Sequence, residues 1–580
     1  MQQPMPVQPK SSNKLGWLLV GCLVPVLLIL CCVVGGFLVY LLSPSTIEPV
    51  LALLGLATKA QAAAYAPAQS PIFMAMDIDL TQVVNAQRIF GIYQKNTQAQ
   101  SSMTDFKTQF KTSTGCDFDT DIASWWGPDA ALFFTDNANL SASTATSSSA
   151  TELRTVTPRP NMVIAVATRD VAKSQTAIQK CRTSTSQAPS TEETYKGNKI
   201  TNYDSVSVAV VGKYLLLATT PTAMHAAIDA SRGDVKSLSQ DANYTKAVAG
   251  LMPSRVATVY VQIAPLVAAM QQTSTGIQPQ TLAQFDAYQY AAASLSFETN
   301  GIRMDAIGAF DPTKLPDCTK QLLQQAGVPN QSLKAAPADS IAFISGNNIK
   351  GVWDCTLAQL DPTSQKQMQD SFTSLNNQMG IDLSADVLSW LTGEYALVIT
   401  NAKPISSGLP GVGMYALIEA KDQNLVNTKM TKIAGAIGKQ GLAFKDQTIK
   451  GVAMKTVTLG ASNDPTAPAI GYGMLGNFLV IGGPTDALNA AVDASKNPLA
   501  SDSTFQAVQK VLPAKNNGYF YSNMSGIDKL ISGALSGTQL TNYQQDMQPW
   551  LKPIKAVGSA TAVGTTNSTS GTLFIYIPGE

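Results

Sequence analysis

The chain has 580 residues, 40 basic and 39 acidic, for a formal charge of +1, and only 14% of its residues are charged. That length exceeds what one hydrophobic core usually supports, so at least two domains are expected. The balanced charge implies no basic face, which excludes nucleic acid as a natural partner.

In chain order, a tail of residues 1–14 leads into an uncharged run from Leu15 to Leu42, 28 residues long. About 20 apolar residues cross a bilayer, so residues 15–42 are read as a single transmembrane helix. Trp17 and Tyr40 sit near its ends, where amphipathic rings favour the two interfaces. Lys10 and Lys14 precede the run and Glu48 follows it. By the positive-inside rule the tail is cytoplasmic and the bulk of the chain extracytoplasmic. A cleaved signal peptide fits less well, because its apolar core is shorter and ends in an A-x-A-like site. The lipobox-like Leu19-Val20-Gly21-Cys22 is followed by further apolar residues through Leu42, which also favours an uncleaved anchor. Residues 43–70 are Ala- and Pro-rich and are read as a stalk.

Beyond the stalk the chain repeats itself. G-C-D-F-D-T-D-I-A-S-W (Gly115 to Trp125) returns as G-I-D-L-S-A-D-V-L-S-W (Gly380 to Trp390). V-G-K-Y-L-L-L (Val211 to Leu217) returns as L-G-N-F-L-V-I (Leu475 to Ile481). P-T-A-M-H-A-A-I-D-A-S (Pro221 to Ser231) returns as P-T-D-A-L-N-A-A-V-D-A-S (Pro484 to Ser495). A period that long indicates a domain duplication rather than a solenoid. The reading is α+β unit 1 at 71–310, a helical linker at 311–336, and α+β unit 2 at 337–580.

Each unit follows one order. A strand (Ile72 to Asp79; Ile341 to Ser345) is followed by a Gln-rich helical stretch and the Gly-x-Asp turn. A short helix carrying Asp-[Ile/Val]-x-Ser-Trp ends near Gly127 or Gly393, and a strand follows it (Ala130 to Phe134; Tyr395 to Ile399). The next loop differs most between units: Asp136 to Pro160 is a long Ser/Thr/Ala tract, Asn401 to Pro410 is short. Within the long one, 139–155 is expected to be flexible and cut first by protease. Strand-to-helix segments come next (Met162 to Asp170; Met414 to Asp422), then extended segments flanking Lys196-Gly197 and Lys450-Gly451. Tight turns are expected at Gly212 and Gly476. Pro221 and Pro484 are expected at the first position of helices capped by Thr220 and Gly483. Closing strands (Val256 to Ile263; Tyr519 to Ser522) lead to hairpins turning at Thr299-Asn300-Gly301 and near Ser570-Gly571. Many hairpin-joined strands with interspersed helices predict antiparallel-sheet α+β units behind the single transmembrane helix.

No catalytic constellation stands out among the side chains. The single histidine, His225, aligns with Asn489 and is read as solvent-facing, which leaves no Ser-His-Asp or Cys-His arrangement. Asp117, Asp119 and Asp121 resemble a calcium run, but an EF-hand loop needs Gly and Glu where Ile122 and Pro128 stand. Ser384 replaces Asp119 in the second unit, so helix capping explains both copies. Trp125 and Trp390 are read as core closures rather than carbohydrate platforms. Asp77 and Asp79 correspond to Asn347 and Ile349, so no paired-carboxylate site recurs. Gly411 to Ala416 matches G-x-G-x-x-A but precedes a strand, and Gly435 to Lys439 lacks the remaining P-loop residues. No G-x-S-x-G elbow occurs. Cys22, Cys31 and Cys32 lie in the apolar run. Cys116, Cys181, Cys318 and Cys355 lie outside it and permit two disulfides in three connectivities. Burial as small hydrophobes is the competing reading, since Cys116 aligns with Ile381 and Cys181 falls near Ile433. No cofactor or metal is expected. The positions singled out are the repeated ones: Gly115, Asp117, Asp121, Trp125, Gly380, Asp382, Asp386 and Trp390.

P-A-D-S-I-A-F-I-S (Pro337 to Ser345), the G-x-D-x-x-x-D-[IV]-x-S-W segment, the acidic residue before the next strand and the G-x-[YF]-[LV]-[LV] turn carry a resemblance. They resemble a bacterial family of membrane-anchored proteins with domain of unknown function 3352, here as two tandem copies. The resemblance implies a bacterial cell-envelope protein and brings no known active site. The expected function is a non-enzymatic, membrane-anchored extracytoplasmic binding or scaffold protein, acting through a cleft between units or a sheet edge. Its expected partners are the lipid bilayer through 15–42 and an envelope protein. A carrier of an apolar, lipid-like ligand is the alternative.

Overall fold

Residues 61–579 are described in the computed structural model, except 78–79, 95–96, 138–158, 184–190, 204–205, 274–284, 326, 404–410, 460–468 and 566. The tail 1–14, the apolar run 15–42, most of the stalk and the tract 139–155 lie outside the described residues. Among those described, no helix is long and apolar enough to cross a membrane.

The first half contributes β1 (Ile72–Asp77), β2 (Trp126–Phe134), β3 (Met162–Thr168), β4 (Thr191–Tyr195), β5 (Asn198–Asn202), β6 (Ser207–Val211), β7 (Tyr214–Ala218), β8 (Ala257–Gln262), β9 (Tyr288–Glu298) and β10 (Gly301–Phe310). The second contributes β11 (Ala342–Asn347), β12 (Glu394–Asn401), β13 (Val412–Glu419), β14 (Lys445–Ile449), β15 (Val452–Thr458), β16 (Ala469–Leu475), β17 (Phe478–Gly483), β18 (Asn516–Asn523), β19 (Ala556–Ala562) and β20 (Ser568–Tyr576). Helices lie between them, so the chain is a mixed α+β fold with an antiparallel sheet.

All twenty strands of the described residues join one continuous sheet. From one edge the first half runs β4-β5-β6-β7-β3-β2-β1-β8-β9-β10. From the other edge the second half runs β14-β15-β16-β17-β13-β12-β11-β18-β19-β20. The two orders are the same, strand for strand. They meet where β10 pairs antiparallel with β20, from Gly301 opposite Tyr576 to Ala309 opposite Ser568. Antiparallel pairing of equivalent strands relates the halves by an approximate two-fold axis normal to the sheet, so equivalent faces stay on one side. The seam is a ladder rather than a cleft. Arg303 clamps Asp305 at 2.9 Å, and the Thr572 hydroxyl across the seam donates to Asp305 at 2.7 Å. On one face Tyr93 stacks on Trp550 of the other half at 5.7 Å.

Strand alternation sends side chains to two faces, and helices cover both. In the first half one face buries Phe73, Phe133, Val163 and Leu216 under the helices Pro221–Arg232 and Ala242–Gly250. The opposite face buries Met74, Met76, Ala130 and Leu215 under Leu80–Gln94 and Val171–Thr183. The second half repeats this with Phe343, Val398, Leu417 and Val480 on one side, and with Trp390, Val426 and Leu479 on the other. Fully burying one such large side chain contributes roughly 1.5–3 kcal/mol.

Several expectations shift. Residues 61–70, assigned to the stalk, pack on the sheet: Ala62, Ala63 and Ala66 are buried in the first core. Leu333 and Ala336, assigned to the linker, do the same in the second. The second hairpin does not turn at Ser570-Gly571; both lie inside β20, where they pair with Ile307 and Ala306. The connection is 563–567, and the run of small polar residues there resembles a turn over more positions than the turn occupies. Pro221 opens its helix with Thr220 accepting from Ala223 N–H at 3.1 Å. Pro484 instead occupies the N-cap of Thr485–Asp493, one residue before the expected position. That offset matches the extra residue of the second copy. The turns at Lys196-Gly197 and Lys450-Gly451 have positive φ at both residues, the primed hairpin geometry.

Candidate functional site

The repeated segment forms the same corner twice. Gly115 and Gly380 adopt φ of 70° and 69°, a left-handed conformation glycine favours. Asp117 then caps a π-helical turn, accepting from Asp119 N–H at 3.1 Å and Thr120 N–H at 3.3 Å. Asp382 caps its counterpart through Ala385 N–H at 2.8 Å. One turn on, Asp121 and Asp386 each accept the backbone N–H of the capping aspartate at 2.9 Å. The indoles close the corner: Trp125 Nε1 donates to Asp121 O at 2.6 Å, and Trp390 Nε1 to Asp386 O at 3.0 Å. Both tryptophans are buried.

Lysines from the following helix neutralise the inner aspartate. Lys180 meets Asp121 at 2.7 Å; Lys429 meets Asp386 at 3.0 Å and Lys432 holds its other oxygen. The Lys432 ammonium, opposed by burial and joined by Lys429 and Asp382 N–H, holds the Asp386 carboxyl well below the usual carboxylate range. At Asp121 burial pushes upward, but Lys180 and Asp117 N–H outweigh it and the net shift is downward. Asp117 is lowered first by Thr120 N–H. These corners spend their carboxylates on structure. Asp119, expected to cap, instead pairs with Lys107 at 2.9 Å, a contact Ser384 in the second half cannot make. Cys116 and Cys181 form a disulfide that ties the first corner to the helix Val171–Thr183. The second half has buried Ile381 in the place of Cys116. Cys318 and Cys355 form the other disulfide, tying the short helix Asp317–Leu323 to Ile349–Ala358.

A second carboxylate recurs at the strand that follows each corner. Asp129, in β2, accepts from Gln61 N–H at 2.8 Å and Ala62 N–H at 3.0 Å, and from the Tyr214 hydroxyl. Glu394, opening β12, accepts from Gln331 N–H at 2.9 Å and Ser332 N–H at 2.8 Å, and from the Ser332 hydroxyl. Each fastens the turn that leads its half onto the sheet. Burial pushes the Asp129 carboxyl up against those donors, and its Oδ1 has no partner among the described residues. The acidic residue before an apolar strand was visible in the sequence; its distant partners were not.

His225, expected to face solvent, is half-buried: its ring stacks on Tyr195 at 3.9 Å and Nε2 meets Glu193 at 2.9 Å. Asp77 closes β1 opposite Asp129 in register, and Asn347 closes β11. Among the described residues no group of three or more His, Cys, Asp or Glu could hold a metal ion. An open depression of about 320 Å³ lies by Tyr203, Ser207 and the Thr220 cap. The free sheet edges, β4 and β14, carry Glu192, Glu193, Lys445 and Asp446, charges that discourage strand addition.

The two halves differ in the cover of one sheet face. In the first half Met74 is 4% and Phe134 7% exposed, because Leu266 of the helix Ile263–Thr273 packs over Phe134, Ile72, Leu132 and Met162. In the second, Ile344 is 39%, Met414 49%, Ile470 38% and Phe520 39% exposed. The corresponding helix, Met524–Ala534, buries none of its residues. Two adjacent rows cross this open face: Phe520, Ile344, Leu397, Ala416 and Ile481; then Ala342, Ile399, Met414 and Gly483. Neither contains a charged or amide side chain. Sequence reasoning missed this face because apolar residues occur at successive positions of these strands, as in strands covered on both sides.

Among solved structures, crystal form IV of TP0453 is similar with a TM-score of 0.24 at 7% identity, over 43% of this chain and 81% of that one. Crystal form III scores 0.24 at 8% identity, over 46% and 87%. Likeness at that level carries no functional argument. No curated protein matches the sequence. A single family match runs through both halves, from residue 23 to residue 577. The chain therefore belongs to the family described as protein of unknown function (DUF3352).

Proposed function

We propose that this chain is a membrane-anchored extracytoplasmic binding or scaffold protein of the bacterial cell envelope, without enzymatic activity, built by internal duplication of one α+β unit. Residues 15–42 are its single-pass anchor, residues 1–14 its cytoplasmic tail, and an envelope protein its partner. The two disulfides, Cys116–Cys181 and Cys318–Cys355, carry the placement, because such bonds form and persist in oxidising compartments. The strand order shared by both halves supports the duplication. The repeated carboxylates are committed to caps, lysines and leading turns, which favours a scaffold over catalysis.

Topology tests this reading. A fusion after Glu580 to a reporter active only in the cytoplasm is expected to be silent, and the four cysteines outside 15–42 should resist alkylation until reduced. Reporter signal with freely alkylated thiols would place the fold in the cytoplasm and end the proposal. The carrier reading for an apolar ligand is favoured by one observation, the open face around Ile344 and Met414.

A further inference from the structure

We propose that the open face formed by β11, β12, β13 and β18 holds the acyl chain of a membrane phospholipid. The inference rests on residues 15–42 being an anchor and adds the ligand and its place. Its first support is the contrast between halves. The same face is closed by Leu266 in the first half, whereas Ile344, Met414 and Phe520 stay exposed in the second. An apolar surface left uncovered on one of two matched units marks a binding surface.

Composition favours a lipid over a protein partner. Protein-interface hot spots are enriched in Tyr, Trp and Arg and poor in Leu, while Met and Phe occur in protein interfaces as well. The rows through Ile344 and Met414 offer Ala, Ile, Leu, Met and one Phe. Unbranched Met414, the most exposed of them, suits a flexible chain. Dimensions agree as well. Four neighbouring strands at about 4.8 Å spacing give a row of about 14 Å, against about 15 Å for the hydrocarbon of one leaflet. Supply follows from the tether: the uncharged run ends at Leu42 and the described fold begins at Gln61. Fully extended, that stretch reaches about 60 Å, so lipid is always near.

Photolabelling of the full-length protein tests the assignment. The chain would be reconstituted in vesicles containing a phosphatidylcholine with a diazirine midway along one acyl chain, irradiated and mapped by peptide mass. Adducts are expected on peptides carrying Ile344, Met414 or Phe520, in addition to those of 15–42. Met414→Asp and Ile344→Asp should each reduce the sheet adducts about tenfold, and Met414→Leu should restore them. Both positions are exposed, and unchanged circular dichroism identifies folded variants. Adducts confined to 15–42, equal labelling of the aspartate variants, or crosslinking of this face to a second copy or another protein would each overturn the proposal. Since the reporter and alkylation results read location without lipid, a silent reporter with no sheet adducts removes this inference alone.

Discussion

Asp386 stays ionised in a nearly closed corner because Lys429 and Lys432 face it from the next helix. Its folded-state pKa lies below the unfolded carboxylate value of about 3.9. The corner's contribution is therefore present in full above that value and is lost as pH falls towards the folded one. Asp386→Asn should lower the melting temperature at pH 6, and the gap to wild type should narrow at pH 3; a pH-independent gap would refute the ion-pair account. The adjacent indoles are a different case, being matters of volume. Trp125→Ala and Trp390→Ala each remove a buried ring and should cost about 3–5 kcal/mol in urea denaturation. Losses below about 1 kcal/mol would mean the rings are dispensable to the core. At this scale much was legible in sequence, since a Gly-Cys/Ile-Asp turn followed by Asp and Trp at fixed spacing recurs without a gap. The lysines were not, because Lys180 and Lys429 lie 59 and 43 positions from their aspartates.

At the scale of elements, Asp129 and Glu394 decide where each half begins. The turn Ala62–Ala64 has no side-chain cap of its own, and β2 supplies the acceptor from 67 positions away. Asp129→Ala would leave Gln61 N–H, Ala62 N–H and the Tyr214 hydroxyl without their acceptor, at about 1–3 kcal/mol for each group left unpaired. Limited proteolysis should then cut within 61–70, where burial of Ala62, Ala63 and Ala66 is expected to protect the wild-type chain. Equal resistance would show that packing of Ala62 and Ala66 alone holds the segment. An Ala- and Pro-rich sequence reads as a stalk because alanine burial needs a partner surface the local sequence does not reveal. The hairpins were more legible where glycine imposes geometry: Lys196-Gly197 and Lys450-Gly451 turn as expected. Ser570-Gly571 misled because glycine is also tolerated within a strand.

For the whole molecule, two units in sequence became one sheet in space, and periodicity says nothing about that step. β10 and β20 each end their half with a free edge, and each is the other's partner. Their joining removes two edges and, among the described residues, leaves β4 and β14 as the edges, both charged. Cores also cross the seam: Ile575 and Ile577 of the second half pack with Ile302 and Phe297 of the first. The halves should consequently unfold together, as one calorimetric transition. Gly301 is the tightest of the seam glycines, since a Cβ there would collide with the Ile575 carbonyl and the Phe574 ring. Those neighbours are backbone and a fully buried side chain, so they cannot move aside cheaply. Gly301→Val should therefore push β20 away, costing about 1–3 kcal/mol by overpacking and splitting the single transition into two. A variant that keeps one transition at an unchanged temperature would mean the halves are coupled elsewhere, with the Tyr93–Trp550 stack the first place to look.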